Sequence, residues 1–317
     1  MTYDILVYGP LFCDLVFTGL PGMPELGREL YADALTLAPG GSAIVAVGLQ
    51  RLGIKVGLIA DLGNDPFSRL LGELLEQMGL DCALIRRHAF PLPQLTVALS
   101  FPHDRAFVTR FEQPKTPPNL PQILREHPAR HLHIASFLAA FKTPEVCQLA
   151  HAAGATVSFD PGWDEHALHD PRLHSLIAEL DVFLPSRSEL CRLAGISDPV
   201  RAAQSVLGSM TSGLIVMKNG GDGAESFSHQ GDKCLRVPAI SVSPVDTTGA
   251  GDAFDAGFLC AFVQGHSLKD CMQLGTVCGG LTTTARGGAN ATPMLREVNQ
   301  WLLKFPSSAG AALTLLD

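Results

Sequence analysis

Residues 244–262 read PVDTTGAGDAFDAGFLCAF and join a glycine-rich turn to a mostly apolar segment. Apolar residues recur at helical spacing after Asp252, which predicts a buried helix over 249–262. The preceding stretch AISVSPVDTT, residues 239–248, is rich in β-branched residues and has the pattern of a strand. The sequence therefore predicts a strand, a turn and a helix, with GAGD at the joint.

The start of this predicted helix has the properties of an anion site. The first backbone N–H groups of a helix have no intrahelical partner, and the helix dipole is positive there. Glycine lets a ligand come close to that backbone. A carboxylate at Asp252 would repel an anion unless it had a chemical task, such as removing a proton from a hydroxyl during phosphoryl transfer. The alternative is that Asp252 only complements the helix dipole and that the glycines form a tight turn.

Composition limits the class of protein. The chain has 317 residues, of which 46% are hydrophobic and 17% charged, with a net charge of −8. This supplies a sizeable core, and with no basic cluster longer than Arg86-Arg87 it argues against a nucleic-acid partner. No apolar run reaches the length of about 18 residues that spans a bilayer, so we expect a cytoplasmic protein with no membrane association.

Strand-like apolar runs alternate with helix-period segments along most of the chain. Segments 41–53 and 65–80 have helical spacing, the second with Asp65 as N-cap and Gly79 as C-cap. This rhythm predicts an α/β fold, a doubly wound and mainly parallel sheet with helices on both faces. The predicted strands of that sheet are 4–9, 55–63, 131–136, 156–161, 181–186 and 213–220.

Two regions interrupt the rhythm, 11–38 and 95–112. Their apolar residues alternate with a period near two, which is typical of half-exposed antiparallel strands. We expect them to form a small β lid, in which PHDR at 102–105 is a turn. The core domain would then comprise the remaining segments, 1–10, 39–94 and 113–317.

Four motifs resemble the ribokinase-like (PfkB-type) carbohydrate kinases. DTTGAGDAF is similar to the C-terminal signature of that family, and PGGSAIVAVGLQRLG with VGLIADLGNDPFSRLLGELLEQMGL to its N-terminal signature. VMKNGGDGA and TTTARGGANATP are similar to the segments that border the nucleotide and close the site. The matches occur in family order and cover nearly the whole chain. The resemblance implies the ribokinase-like fold and an ATP-dependent kinase acting on a hydroxymethyl group of a small sugar or sugar-containing acceptor.

The resemblance also implies roles for individual residues. Asp252 would be the catalytic base, and the backbone N–H groups of Gly249, Ala250, Gly251 and Asp252 would form the anion hole. ATP would be bordered by Lys218, Gly220 and Gly223. Mg²⁺ would enter with the triphosphate, held mainly by phosphates and water. The positions that would hold a monovalent cation such as K⁺ are Asp246, Thr248, Thr283, Arg286, Gly288 and Thr292.

Two positions near the nucleotide and the metal depart from the family pattern or leave an alternative open. PSRSEL places Ser186 where the family has an asparagine, and it retains Glu189, which could act through metal-bound water or be a solvated acid at a helix start. Asp246 could equally cap a turn. The shorter serine hydroxyl predicts weaker support of the metal or the phosphates.

On the acceptor side, Asp14 matches the diol-binding aspartate of the family. Gly40 and Gly41 would let a sugar reach backbone amides, but Val45 replaces the asparagine of the GGxxxN motif. The loss of this hydrogen-bond partner favours a substrate with fewer hydroxyls or with an apolar portion, such as a nucleoside, over plain ribose.

Two other functions and one mode of assembly stay open at this point. Val45 and Ser186 would suit a sugar- or nucleoside-binding regulatory protein with weak catalysis. Arg28, Arg105 and Arg110 in the lid would suit a kinase of phosphorylated sugars. Exposed lid strands also invite a homodimer through the lid.

Overall fold

A computed structural model of the protein describes residues 2–101, 105–162, 164, 166–229 and 234–303. These residues form one nine-stranded sheet and one four-stranded sheet. The strands are β1 (Tyr3–Tyr8), β2 (Leu11–Thr18), β3 (Ala34–Gly41), β4 (Val56–Leu62), β5 (Ile85–Arg87), β6 (Gln94–Ser100), β7 (Arg105–Phe111), β8 (Ala129–Ile134), β9 (Thr156–Phe159), β10 (Val182–Phe183), β11 (Leu214–Lys218), β12 (Ala224–Ser228) and β13 (Leu235–Val237).

Helices connect most of these strands. The helices are α1 (Ser42–Arg51), α2 (Pro66–Gln77), α3 (Leu120–Glu126), α4 (Phe137–Lys142), α5 (Val146–Ala152), α6 (Pro171–Ile177), α7 (Arg187–Ala194), α8 (Pro199–Leu207), α9 (Ala250–Val263), α10 (Leu268–Thr282) and α11 (Leu295–Leu302).

The large sheet has the strand order β13-β12-β11-β10-β9-β8-β1-β4-β5. Every neighbouring pair from β5 to β11 is parallel, whereas β12 and β13 continue the sheet as antiparallel strands. One hydrophobic cluster lies under α1, α9 and α10, and a second lies under α3 to α8 on the other face. The prediction of a mainly parallel, doubly wound sheet is confirmed.

Local signals place α2 as the sequence predicts. The Asp65 side chain accepts hydrogen bonds from the Ser68 amide, Pro66 occupies the first turn, and the chain leaves through Gly79 with φ of 73°. A residue with a side chain would be strained in that left-handed conformation. The cap and the glycine therefore fix both ends of the helix.

The four-stranded sheet has the order β3-β2-β6-β7 and comprises the two interrupting regions. β2–β3 and β6–β7 are antiparallel as expected, but β2 and β6 are parallel, which corrects the prediction of an all-antiparallel lid. The reason is that β2 and β6 belong to separate insertions, so no hairpin imposes an antiparallel arrangement. The exact division between core and lid stays a prediction, since β3 continues to Gly41 and β6 begins at Gln94.

Polar side chains share one face of this lid sheet. Asp14 lies directly across from Ala38 and Thr96, and Thr96 lies across from Thr109. The two threonine Oγ1 atoms are 3.2 Å apart. Because directly opposed residues point to the same face, this row belongs to the face that carries Asp14.

Apolar side chains share the opposite face of the lid sheet. Leu15 lies across from Leu37 and Val97, and Val97 lies across from Val108. Leu37 and Val108 have relative solvent exposures of 37% and 67%. The lid sheet therefore has a polar row on the face that carries Asp14 and an exposed apolar row on the opposite face.

The segment before α9 differs from its prediction. The stretch 239–248 contains no strand; instead, the Val245 and Asp246 amides donate to the Thr283 carbonyl at 2.7 and 3.1 Å. Pro238 and Pro244 lack the N–H groups that a strand ladder requires, which explains the irregular path. Most of the PHDR turn, as well as residues 304–317, lies outside the described residues. None of the described helices is long and apolar enough to cross a membrane.

Candidate active site

Helix α9 begins without a side-chain cap, and of its first amides Ala250 donates to the Thr247 carbonyl at 3.3 Å. Its N-cap is Gly249, which has φ of 73°, and no side chain caps the first turn. A Cβ on Gly249 would lie 2.9 Å from the Ile44 side chain, so this position needs glycine. The Gly251 amide has no hydrogen-bond partner among the described residues. The start of α9 is therefore a positive, open site suited to an anion.

Asp252 lies in that first turn and is half-buried. Burial, together with the charges of Asp160 and Glu189, raises its pKa to about 7, although the Lys218 ammonium acts in the opposite direction. A carboxyl group with this pKa can accept a proton near neutral pH. The geometry thus leaves the predicted base accessible and not sealed within the core.

Asp14 and Gly40 lie together, as predicted for an acceptor site. A Cβ on Gly40 would fall 2.1 Å from the Asp14 Oδ2 atom, so only glycine leaves room for this carboxyl group. Burial raises the pKa of Asp14 to about 7, with further contributions from the Asp252 and Asp246 charges. These charges act on Asp14 because the lid brings it to the same site as the start of α9.

Helix α1 also begins at a glycine. Gly41 is its N-cap with φ of 63°, and no side chain caps the helix. Val45, one turn further on, has no exposed surface and packs in the core under α1. The Ser42 amide at this helix start already donates to the Pro10 carbonyl at 3.0 Å, and the buried Val45 offers no hydrogen bond.

Ser186 and Glu189 form a closed helix start. The Ser186 Oγ accepts from the Glu189 amide at 3.2 Å, and the Glu189 Oε2 accepts from the Ser186 amide at 2.7 Å. Glu189 is buried, and this burial raises its pKa, with Asp160 adding to the effect. It is therefore not the solvated acid that the sequence left as an alternative. A bridge between Ser186 and Lys218 brings this start of α7 beside the end of β11.

Lys218 is held by two carboxyl groups. Its Nζ lies 2.7 Å from the Asp160 Oδ2 and 3.0 and 3.1 Å from the two Asp255 oxygens. Asp255 is completely buried in α9. Sequence reasoning missed Asp255, although a lone carboxylate inside the apolar run AFDAGFLCAF was a usable signal, since buried charges are paired.

The glycines after β11 have different roles. Gly220 has φ of 56° and open space where a Cβ would lie, which suits the border of a ligand. Gly223 has φ of 92°, and a Cβ there would fall 2.0 Å from the Val237 carbonyl oxygen. Gly223 is thus required by the close packing of β12 and β13, whatever binds nearby.

Asp246 joins the two segments that carry the candidate cation-binding residues. Its two carboxylate oxygens accept from the Thr248 amide at 2.9 Å and from the Gly287 amide at 3.0 Å. Thr292 is buried and accepts from Arg51 at 2.9 Å, whereas Arg286 is exposed. Asp246 therefore does fix turns, and Thr283, which accepts the amides before Asp246, and Gly288 lie in the segments that it joins. No cluster of three or more histidine, cysteine or acidic residues suited to a metal occurs in the described part of the chain.

The three lid arginines differ in direction. Arg28 and Arg110 form surface ion pairs with Glu25 and Glu112. Arg105 instead donates from its Nη1 to the Thr247 Oγ1 at 2.6 Å, and so joins the lid to the turn before α9. The lid is therefore closed over the site, and Arg105 alone of these three reaches it.

The motif order, the fold and this site agree with a family match. Residues 5–295 match the model described as pfkB family carbohydrate kinase. The chain belongs to the pfkB family of carbohydrate kinases. It is 30% identical over 291 residues to a fructokinase of Klebsiella pneumoniae, covering 84% of this chain and 93% of the relative.

Solved structures share the fold. A ribokinase of Arabidopsis thaliana complexed with ribose and ATP superposes with a TM-score of 0.80 at 23% identity, covering 96% of this chain and all of that one. An E. coli protein solved with ATP and Mg²⁺ superposes with a TM-score of 0.78 at 24% identity, with the same coverage of both chains. These likenesses confirm the predicted ribokinase-like architecture.

Proposed function

We propose that this carbohydrate kinase transfers the γ-phosphoryl group of ATP to a hydroxymethyl group of a small sugar or sugar-containing acceptor. The single observation that carries the proposal is the uncapped start of α9 beside the accessible Asp252 carboxyl group. Amide donors fixed in place stabilise the charge that spreads over a transferring phosphoryl group. A hydride or acyl transfer would not need this arrangement.

The catalytic step follows from the two carboxyl groups. Asp14 accepts hydrogen bonds from acceptor hydroxyls and orients them, since a carboxylate can accept two at once. Asp252 then accepts the proton of the hydroxymethyl group, the alcohol oxygen attacks the γ-phosphorus, and the bond to the ADP oxygen breaks. The amides of Gly249, Ala250, Gly251 and Asp252 stabilise the phosphoryl oxygens during this exchange.

The site also fits ATP with Mg²⁺. Open space over Gly220 leaves room for phosphates near the backbone. Burial raises the pKa values of Asp252 and Glu189, so a divalent cation entering with the triphosphate would relieve the crowding of negative charge. Glu189 would act through metal-bound water, with Ser186 and Lys218 beside it, and Gly223 shapes the border of the nucleotide site.

A monovalent cation, such as K⁺, would bind at the loops that Asp246 joins. Thr248, Thr283, Gly288 and Thr292 lie on those loops and can offer backbone or hydroxyl oxygens. Activity measured with ATP and Mg²⁺ in K⁺ and then in a large organic cation tests this site. Equal rates in both salts would remove the cation from the proposal.

The acceptor is proposed to have few hydroxyls or an apolar portion. Val45 is fully buried and offers no hydrogen bond, and the Phe12 and Phe111 rings lie 5.2 Å apart beside the acceptor face of the lid. Phe111 also lines a cavity with Tyr8 and Leu138, and the polar side chains of Asp61, Gln94 and Lys142 share that lining. The missing hydrogen-bond partner at Val45 and the two rings favour a nucleoside over ribose. A phosphorylated sugar is less favoured, because Arg28 and Arg110 point to solvent and Arg105 alone of the three lid arginines reaches the site.

The experiment is an acceptor screen with ATP and Mg²⁺ that measures ADP formation. We expect ADP to form only with an acceptor, and nucleosides to outperform ribose. Ribose as the best acceptor with inert nucleosides would reject the acceptor class. Acceptor binding without any ADP formation would favour the alternative, a regulatory protein that binds sugars or nucleosides. Asp252→Asn should retain ATP binding and lose at least about a thousandfold in kcat.

We also propose that two chains associate through the apolar face of the lid. Leu37 and Val108 lie in one row with Leu15 and Val97, and two such rows together would bury surface that now faces solvent. Light scattering after size-exclusion chromatography should report a dimer for the wild type and a monomer for Val108→Glu. A monomeric wild type at micromolar concentration would refute the dimer.

A further inference from the structure

Lys218 lies against the same face of α9 that carries the open amides. Gly251 and Asp255 are four residues apart and therefore share one face of the helix. The Lys218 Nζ bonds the Asp255 carboxyl group, and it lies 3.5 Å from the point where a Cβ on Gly251 would be. The ammonium group thus sits beside the first turn of α9, next to the amide that has no partner.

The ammonium group has three N–H donors, and the two carboxyl groups use two directions. One points to the Asp160 Oδ2, and one is shared between the two Asp255 oxygens. The Lys218 side chain has a relative solvent exposure of 10%, whereas the Asp255 side chain has none. The ammonium group therefore keeps a small exposed surface beside the first turn of α9, where Gly251 has no side chain.

Burial and contact shift the pKa values of the two carboxyl groups in opposite directions. Burial opposes ionisation of Asp160, but the Lys218 charge and the hydrogen bonds to its oxygens lower its pKa to about 2. Burial and the neighbouring Asp160 raise the pKa of Asp255 well above its usual value. Because a buried charge needs partners, the Lys218 ammonium group stays beside both carboxyl groups.

We infer that Asp160 and Asp255 are positioning residues that fix Lys218 against α9, where its third N–H donates to the γ-phosphoryl group of the bound nucleotide. This inference rests on the proposed function and deepens it. Asp160 offsets the charge of the ammonium group, and Asp255 sets its direction through two hydrogen bonds. Lys218 then adds a charged donor to the amides of the anion hole.

The test compares binding of ADP with binding of AMP-PNP, the non-hydrolysable ATP analogue, by calorimetry in Mg²⁺. Lys218→Met should weaken AMP-PNP binding about tenfold and leave ADP binding within about twofold, because only the analogue has a γ-phosphoryl group. It should also lower kcat about 100-fold. Lys55→Met, a lysine at the opposite edge of the large sheet, is the matched control and should change neither quantity.

Variants of Asp255 separate positioning from general structure. Asp255→Asn keeps the size and an oxygen that can accept from the Lys218 ammonium group, so it should stay within about threefold of the wild type in kcat and in both affinities. Asp255→Val should follow Lys218→Met in its selective loss of AMP-PNP affinity. Equal damage by Asn and Val would overturn the positioning role of Asp255.

Folding is controlled independently. Lys218→Met leaves Asp160 buried without its partner, so the double variant Asp160→Asn with Lys218→Met removes both charges, and its fold is checked by circular dichroism and thermal unfolding. A folded Lys218→Met or double variant with the wild-type ratio of AMP-PNP to ADP affinity would overturn the inference alone. A wild-type protein that binds neither nucleotide would instead overturn the proposed function.

Discussion

Helices α8 and α9 begin in opposite ways. The start of α8 is closed, because the Asp198 side chain accepts a hydrogen bond from the Arg201 amide at 2.8 Å. The start of α9 is open, because Gly249 has no side chain and no other side chain caps the turn. A closed start stabilises the fold, whereas an open start keeps donors ready for a ligand and forgoes that stability.

The same contrast separates other helices of the molecule. Side chains of Asp65, Ser186 and Ser267 close the starts of α2, α7 and α10. Helix α1 begins openly at Gly41 beside Asp14, just as α9 begins openly beside Asp252. The open starts that follow positive-φ glycines thus meet at the candidate site, one on the acceptor side and one on the phosphoryl side.

Within this comparison of helix starts, the largest expected effect comes from placing a methyl group at the open start of α9. Gly251→Ala should lower kcat about 100-fold, because the methyl group occupies the space meant for the phosphoryl group. It should also stabilise the fold by up to about 1 kcal/mol, since alanine favours a helix. Steady-state kinetics and thermal unfolding measure the two effects. Gly208→Ala, at the end of α8 with φ of −61°, is the control and should leave kcat unchanged.

A second prediction concerns the cost in stability of burying the Asp14 carboxyl group beside the start of α1. Burial raises the pKa of Asp14 to about 7, above its value in the unfolded chain. Its favourable contribution is complete below the unfolded pKa and is lost as pH rises through about 7. Asp14→Asn removes this dependence, so its stability relative to the wild type should be greater at pH 8 than at pH 5 by about 2 kcal/mol.

Urea unfolding at the two pH values measures that difference. The pH-independent part of the substitution cancels, since only the change between pH 5 and pH 8 is compared. If the stability of Asp14→Asn relative to the wild type were the same at both pH values, the pKa of Asp14 would not be raised in the folded protein.

The rate should depend on the protonation of Asp252. The base must be ionised to act, and burial raises its pKa to about 7. The value of kcat/KM should therefore rise through an apparent pKa near 7, by about tenfold between pH 6 and pH 8. A flat profile across this range, with chemistry shown to limit the rate, would exclude Asp252 as a base with this pKa.

The smallest effect is expected at the closed start. Asp198→Ala should cost about 1 kcal/mol of stability through the lost cap, and kcat should stay within twofold of the wild type. Chemical unfolding and steady-state kinetics give both values. Asp198→Ala and Gly251→Ala should therefore have opposite effects: the first loses stability and keeps activity, and the second loses activity and keeps stability. A loss of activity in Asp198→Ala would break the comparison between the two kinds of helix start.

The sequence predicted the parts of the site that local patterns encode. GAGD at 249–252 indicated a helix start with open amides and a carboxylate, and alternating strands and helices indicated the parallel sheet. The partnership of Asp255 with Lys218 could not be predicted in the same way, because strand order brings together residues 37 positions apart in the chain. The parallel pairing of β2 with β6 was missed for the same reason, since it depends on where the core places two separate insertions.

A crystal structure with AMP-PNP, Mg²⁺ and an acceptor would show whether the start of α9 binds the γ-phosphate. We expect a γ-phosphate oxygen within about 3 Å of the Gly251 amide nitrogen and an acceptor hydroxyl within hydrogen-bonding distance of the Asp252 carboxyl group. A γ-phosphate bound elsewhere, with the start of α9 still open and the Asp252 carboxyl group away from the acceptor, would contradict it.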